Sequence, residues 1–180
     1  MSYQWSYGDI LEAVEKITPE DQPALIHGDR VTNWGDFVRR TNNLARNLLA
    51  SGVQPGEKIA FYMRNCPEYS EGIAASFKAG LTHVNVNYRY IEHELIYLID
   101  NSDATVVVYH SEFQHYVDEI ENQLPGVKHW LVVDNGKASS YEDMANNGDG
   151  SSPGIKHSAD DLLFLYTGGT TGMPKGVMWR

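Results

Sequence analysis

From Ile59 onward short apolar runs alternate with helix-length amphipathic segments, and this rhythm restricts the chain to strand-helix-strand units that build a parallel sheet. The runs are residues 59–63, 83–86, 105–109 and 130–133. The first intervening segment, 67–79, opens on proline and stops at Gly80. In the second, Ile91, Leu95, Leu98 and Ile99 share one helical face, and residues 113–123 make the third. Right-handed crossovers then set these helices on the faces of the sheet. The fold class expected is α/β, a parallel sheet flanked by helices.

Upstream, Trp34, Phe37, Val38, Thr41, Leu44, Ala45, Leu48 and Leu49 recur at helical spacing, with Asn33 placed to cap the helix and Gly52 just past its end. Residues 24–27 and 30–32 flank Gly28-Asp29 and read as a hairpin. Residues 146–154, NNGDGSSPG, lack apolar content and are expected to form an exposed linker loop. After it, residues 162–166 form a wholly apolar run between two aspartates and a glycine-rich stretch, the pattern of a buried strand. The chain therefore divides into an opening hairpin and helix (1–58), a βαβ subdomain (59–145), the linker (146–159) and a final strand with the loop after it (160–180). Trp34, Tyr62, Phe77 and Tyr97 sit at core spacing.

The formal charge of −10 makes nucleic acid and anionic membranes poor partners for the bulk surface. One cysteine, Cys66, excludes an internal disulfide and reads as a small core residue. Seven histidines are scattered without metal-ligand spacing, and His93-Glu94 has Tyr97 where a zinc-binding helix needs its second histidine. The first ten residues carry neither a basic region nor an apolar run, and no apolar run exceeds strand length. These features fit an unexported, cytoplasmic chain with no transmembrane segment and no metal site of its own. Arg89 reads as a surface or sheet-end arginine before it reads as a ligand.

Directly after the last strand comes YTGGTTGMPKG, residues 166–176. Glycines let a backbone approach an anion and aim several N–H groups at it, threonine hydroxyls add donors, and a lysine supplies a point charge, so the combination suits a triphosphate. The candidate phosphate-binding residues are Thr167, Gly168, Gly169, Thr170, Thr171, Gly172 and Lys175. The plain alternative is a tight turn with an incidental surface lysine. A Walker loop is excluded, because Lys175 follows Pro174 and precedes Gly176 rather than a hydroxyl residue.

This loop resembles the phosphate loop of the adenylate-forming superfamily, YTSGTTGxPKG, with Gly168 standing where serine is usual. The resemblance extends upstream through TNWGDFVRRTNNLARNLLASGVQPGEKIAFYMRNCPEY, KAGLTHVNVNYRY and HELIYLIDNSDATVVV, about Ala24 to Arg180 in all. With the stretch Asn85 to Tyr90 it is most similar to bacterial fatty-acyl-CoA synthetases. The resemblance implies part of a large N-terminal domain. It also implies an activity using ATP with magnesium to convert a carboxylic acid to acyl-AMP, and then coenzyme A to take the acyl group. The family's adenine, ribose, hinge and C-terminal lysine motifs lie beyond Arg180, as does the helix expected after the loop. The chain is thus expected to be a piece of the enzyme that carries no catalytic residue and is inactive alone. Two other readings stay open: a free-standing interaction or regulatory domain, and an adenylation domain that loads a carrier protein.

Overall fold

The computed structural model describes residues 5–167 and 174–179. Helix α1 (Tyr7–Glu15) starts at a reciprocal cap: the Ser6 hydroxyl accepts from Asp9 N at 3.1 Å while the Asp9 carboxylate accepts from Ser6 N at 3.0 Å. Strands β1 (Pro23–His27) and β2 (Arg30–Asn33) form a separate antiparallel hairpin, turning at Gly28 with φ +58°, where a side chain would be strained. Asn33 then caps α2 (Trp34–Ala50) by accepting from Asp36 N at 2.8 Å.

The alternating region delivers β3 (Lys58–Tyr62), α3 (Pro67–Lys78), β4 (Thr82–Val86), α4 (Glu92–Asn101), β5 (Ala104–His110), α5 (Gln114–Ile120), β6 (His129–Val133) and α6 (Ser140–Asn146). Two last strands follow, β7 (Leu163–Thr167) and β8 (Lys175–Trp179). The main sheet runs β6-β5-β3-β4-β7-β8, parallel through β7 and antiparallel between β7 and β8. The expected parallel sheet is therefore mixed, because the chain returns after residue 174 as an antiparallel edge strand.

One face of the sheet buries Phe61, Val106, Val108 and Leu131 with Leu44 and Leu48 of α2 and Tyr141 of α6. The other buries Tyr62, Val84, Val107 and Tyr109 under Leu95 and Leu98 of α4 and Val117 of α5. Each fully buried large aliphatic or aromatic residue contributes about 1.5–3 kcal/mol. Helix α3 approaches the sheet at Gly72, where a Cβ would lie 2.3 Å from the Phe61 ring.

Three readings shift. Ile91 is half exposed because it sits at the N-cap of α4 rather than on its packed face. Of the four aromatics at core spacing only Tyr62 is fully buried; Trp34 lies edge-on to Phe37, and Phe77 stacks on Tyr7 of α1. The strand β7 is half-buried, with Leu165 37 % exposed, since its neighbour β8 is exposed along its whole length. Of residues 146–154, Asn146 ends α6 and the rest are irregular and largely exposed, yet tied to α2. Asn42 Nδ2 donates to Gly150 O (2.7 Å), Gly150 N to Asn43 Oδ1 (2.8 Å), and Asn47 Nδ2 to Asn147 O (2.7 Å). No helix among the described residues is long and apolar enough to cross a membrane.

Candidate active site

The parallel strands all end at one edge of the sheet, the edge at which open α/β sheets bind ligands. Strand β7, hydrogen-bonded to β4 on one side and β8 on the other, delivers its C-terminal end there. Thr167 pairs with Lys175 across the hairpin, so residues 168–174 close it. Of the sequence-predicted ligands, Lys175 stands exposed at the base of this closure and the Thr167 backbone stands opposite. Gly168, Gly169, Thr170, Thr171 and Gly172 lie outside the described residues, as does the Thr167 side chain. Pro174, between loop and strand, is buried.

The ends of β3, β4 and β5 bring basic and aromatic groups to the same edge. Arg64 donates to Glu112 at 2.9 Å and places its guanidinium 4.5 Å from the centre of the Tyr88 ring. Arg89 is exposed, its backbone N donates to Asn87 Oδ1 at 3.0 Å, and its guanidinium lies 5.5 Å from the same ring. His110 accepts from Arg64 N at 3.1 Å through Nδ1, and burial pushes its pKa down. Sequence reading singled out only Arg89 of this group.

Behind the edge, α3 is held by buried charges that no sequence pattern announced. Arg40 of α2 donates to both Glu71 carboxylate oxygens at 2.8 Å and to Glu142 of α6 at 2.8 and 2.9 Å. Burial would raise the Glu142 carboxyl, but the hydrogen bonds from Arg40 outweigh it and hold the group below the ordinary range. Glu68 is paired with Arg30, and the fully buried Tyr141 hydroxyl donates to Glu68 O at 3.0 Å. Lys78, fully buried, pairs with Glu15 at 2.5 Å and donates to Thr41 and Asn42; burial lowers its pKa and the Glu15 carboxylate opposes that. Cys66 is half-buried with its thiol pushed up to about 12 by burial, which makes it inert at neutral pH. Among the described residues no group of three or more His, Cys, Asp or Glu side chains could hold a metal ion.

The family model described as AMP-binding enzyme matches residues 11–180. The chain is 36 % identical over 192 aligned residues to a medium/long-chain-fatty-acid–CoA/3-oxocholest-4-en-26-oate–CoA ligase of Mycobacterium marinum, covering 100 % of this chain and 35 % of the relative. It is 38 % identical over 183 residues to a 3-oxocholest-4-en-26-oate–CoA ligase of Rhodococcus rhodochrous, covering 96 % and 32 %. Its fold matches the inhibitor-bound N-terminal domain of FACL13 from Mycobacterium tuberculosis with a TM-score of 0.84 at 24 % identity, over 98 % of this chain and 44 % of that one. The chain thus spans about a third of the length of the curated relatives it matches. Matched by that one model over residues 11–180, and carrying the YTGGTTGMPKG stretch where β7 ends and β8 begins, this chain belongs to the AMP-binding enzyme family.

Proposed function

We propose that the protein carrying this chain is an ATP-dependent acid–thiol ligase that activates a fatty or sterol-side-chain carboxylate and transfers it to coenzyme A. The observation that carries this reading is Lys175, exposed at the mouth of the loop and paired across the hairpin with Thr167. Backbone N–H groups of Gly168, Gly169 and Gly172, the hydroxyls of Thr167, Thr170 and Thr171, and the Lys175 ammonium are assigned to the β and γ phosphates. A carboxylate oxygen attacks the α-phosphorus, the bond to pyrophosphate breaks, and the loop stabilises the charge that gathers on the departing group. The thiol of coenzyme A then attacks the acyl carbonyl, and AMP leaves. Magnesium, bound together with ATP, would supply further positive charge to the phosphates beside Lys175. The lone unpaired cysteine and the use of ATP and coenzyme A fit a cytoplasmic enzyme.

The test is acid-dependent exchange of labelled pyrophosphate into ATP by the intact protein. Exchange with a medium- or long-chain fatty acid or a sterol-type acid is the expected result, and none with any carboxylic acid would rule the reading out. Release of the acyl group to free coenzyme A, rather than only to a carrier-protein thiol, separates this ligase from a carrier-loading enzyme.

A further inference from the structure

The β7–β8 hairpin holds a contact to which the phosphate chemistry assigns no role. Tyr166 faces Gly176 in the ladder, one step inside the Thr167–Lys175 pair. A Cβ at Gly176 would stand 3.0 Å from Tyr166 Cζ, 3.2 Å from Cε2 and 3.2 Å from the hydroxyl oxygen, so the ring lies across bare backbone of the partner strand. The same hydroxyl donates to Oδ1 of Asn101, the last residue of α4, at 3.0 Å. Tyr166 also packs, with Phe164, against the buried cluster beneath α4.

Little else specifies how β8 slides along β7. Strand β8 is exposed along its length and forms one end of the sheet, and its closure is rich in glycine. Register is weakly held in such a strand, yet a slip of one residue sends every side chain to the opposite face. A slip here would turn Lys175 away and would bring Lys175 or Val177 opposite the Tyr166 ring, where a Cβ would press on the ring unless it gave way by a few tenths of an ångström. We propose that Tyr166, Gly176 and Asn101 form a register lock, with Tyr166 and Asn101 acting as positioning residues that hold Lys175 at the mouth of the loop. The catalytic half of this inference rests on the function proposed above.

In the intact protein, Tyr166→Phe and Asn101→Leu should each lower pyrophosphate exchange by about three- to tenfold, the range for one partly exposed hydrogen bond. The KM for the acid and the rate of thioester formation from supplied acyl-AMP should stay unchanged. Asn101→Asp, which keeps the shape and the acceptor, should retain the rate. The double variant should be no slower than either single one, because both remove the same bond. Gly176→Val, which presses a branched side chain against the Tyr166 ring, should cost more than either. Exchange-active parent protein with unchanged single variants, or equal losses in both half-reactions, would overturn the lock. If the parent itself shows no exchange, the proposed function fails and amide hydrogen exchange decides the lock: faster exchange at Lys175 and Gly176 in Tyr166→Phe and Asn101→Leu upholds it, and unchanged protection overturns it.

Discussion

The role proposed for Lys175 and the burial of His83 each lead to a measurable effect of one side chain. A cation aimed at pyrophosphate has charge to stabilise only while pyrophosphate is leaving, so Lys175→Ala in the intact protein should slow adenylate formation about a hundredfold and leave thioester formation from supplied acyl-AMP nearly unchanged. Lys175→Arg should recover part of the rate, since the larger guanidinium replaces a compact charge. Equal losses in the two half-reactions, assayed separately, would assign Lys175 to the fold instead. His83 is 3 % exposed, stacked on Phe61 at 5.1 Å, with Nε2 3.3 Å from the Tyr69 hydroxyl and no hydrogen-bond partner for Nδ1 among the described residues. Burial pushes its pKa down to about 4. As pH falls below the ordinary value near 6.5, the unfolded chain takes up a proton that the folded chain refuses until about pH 4. Stability is therefore lost across that window, by about 3 kcal/mol in total from this group. His83→Phe should flatten the fall without abolishing it, because His110 is shifted the same way. Urea unfolding at pH 7 and pH 4.5 measures the difference, and an identical pH dependence in parent and variant would refute the assignment.

At the scale of elements, α2, α3 and α6 are joined through Arg40, whose two carboxylate partners lie 31 and 102 positions away in the chain. Arg40→Ala strands Glu71 and Glu142 and should cost about 3–5 kcal/mol in urea unfolding. Glu142→Gln, which keeps a hydrogen-bonding group at the edge of the pair, should cost about 1–2 kcal/mol. A loss below about 1 kcal/mol for Arg40→Ala would show the network to be dispensable. Such separations explain what could be read from sequence. The strands from Lys58 to Val133 and helices α2 to α4 announce themselves because periodicity and caps are local. Helices α1 and α6 escaped because nine and seven residues give too few turns for a periodic signal, although Ser6 with Asp9 and Ser139 with Glu142 mark their starts. Strand β8 escaped because KGVMW has no alternation. Arg40, Lys78 and Tyr166 escaped because a charge or a ring on a helix or strand looks the same whether its partner is water or a residue far along the chain.

At the scale of the whole molecule, these 180 residues carry only the one stretch, 166–176, proposed above to bind phosphate. One loop supplies charge but cannot also orient acid, ribose and adenine, so the chain alone should show no acid-dependent exchange and should bind ATP no tighter than about millimolar. Calorimetric titration with ATP checks this; micromolar affinity or turnover would mean that the described sheet edge holds a complete site. The docking of α1 has a consequence for the order in which the molecule assembles. Its Tyr7 stacks on Phe77 at 4.7 Å, its Glu15 pairs with Lys78, its Glu12 accepts from Ser152 at 3.1 Å, and its Gly8 lies so close under His157 that a Cβ would meet the ring at 2.4 Å. A helix of nine residues does not persist in water by itself, where roughly 12–15 residues are needed for even marginal helicity. On the ribosome α1 therefore emerges well before the residues it packs against, and its contacts with Ser152 and His157 form only after those residues have left the exit tunnel.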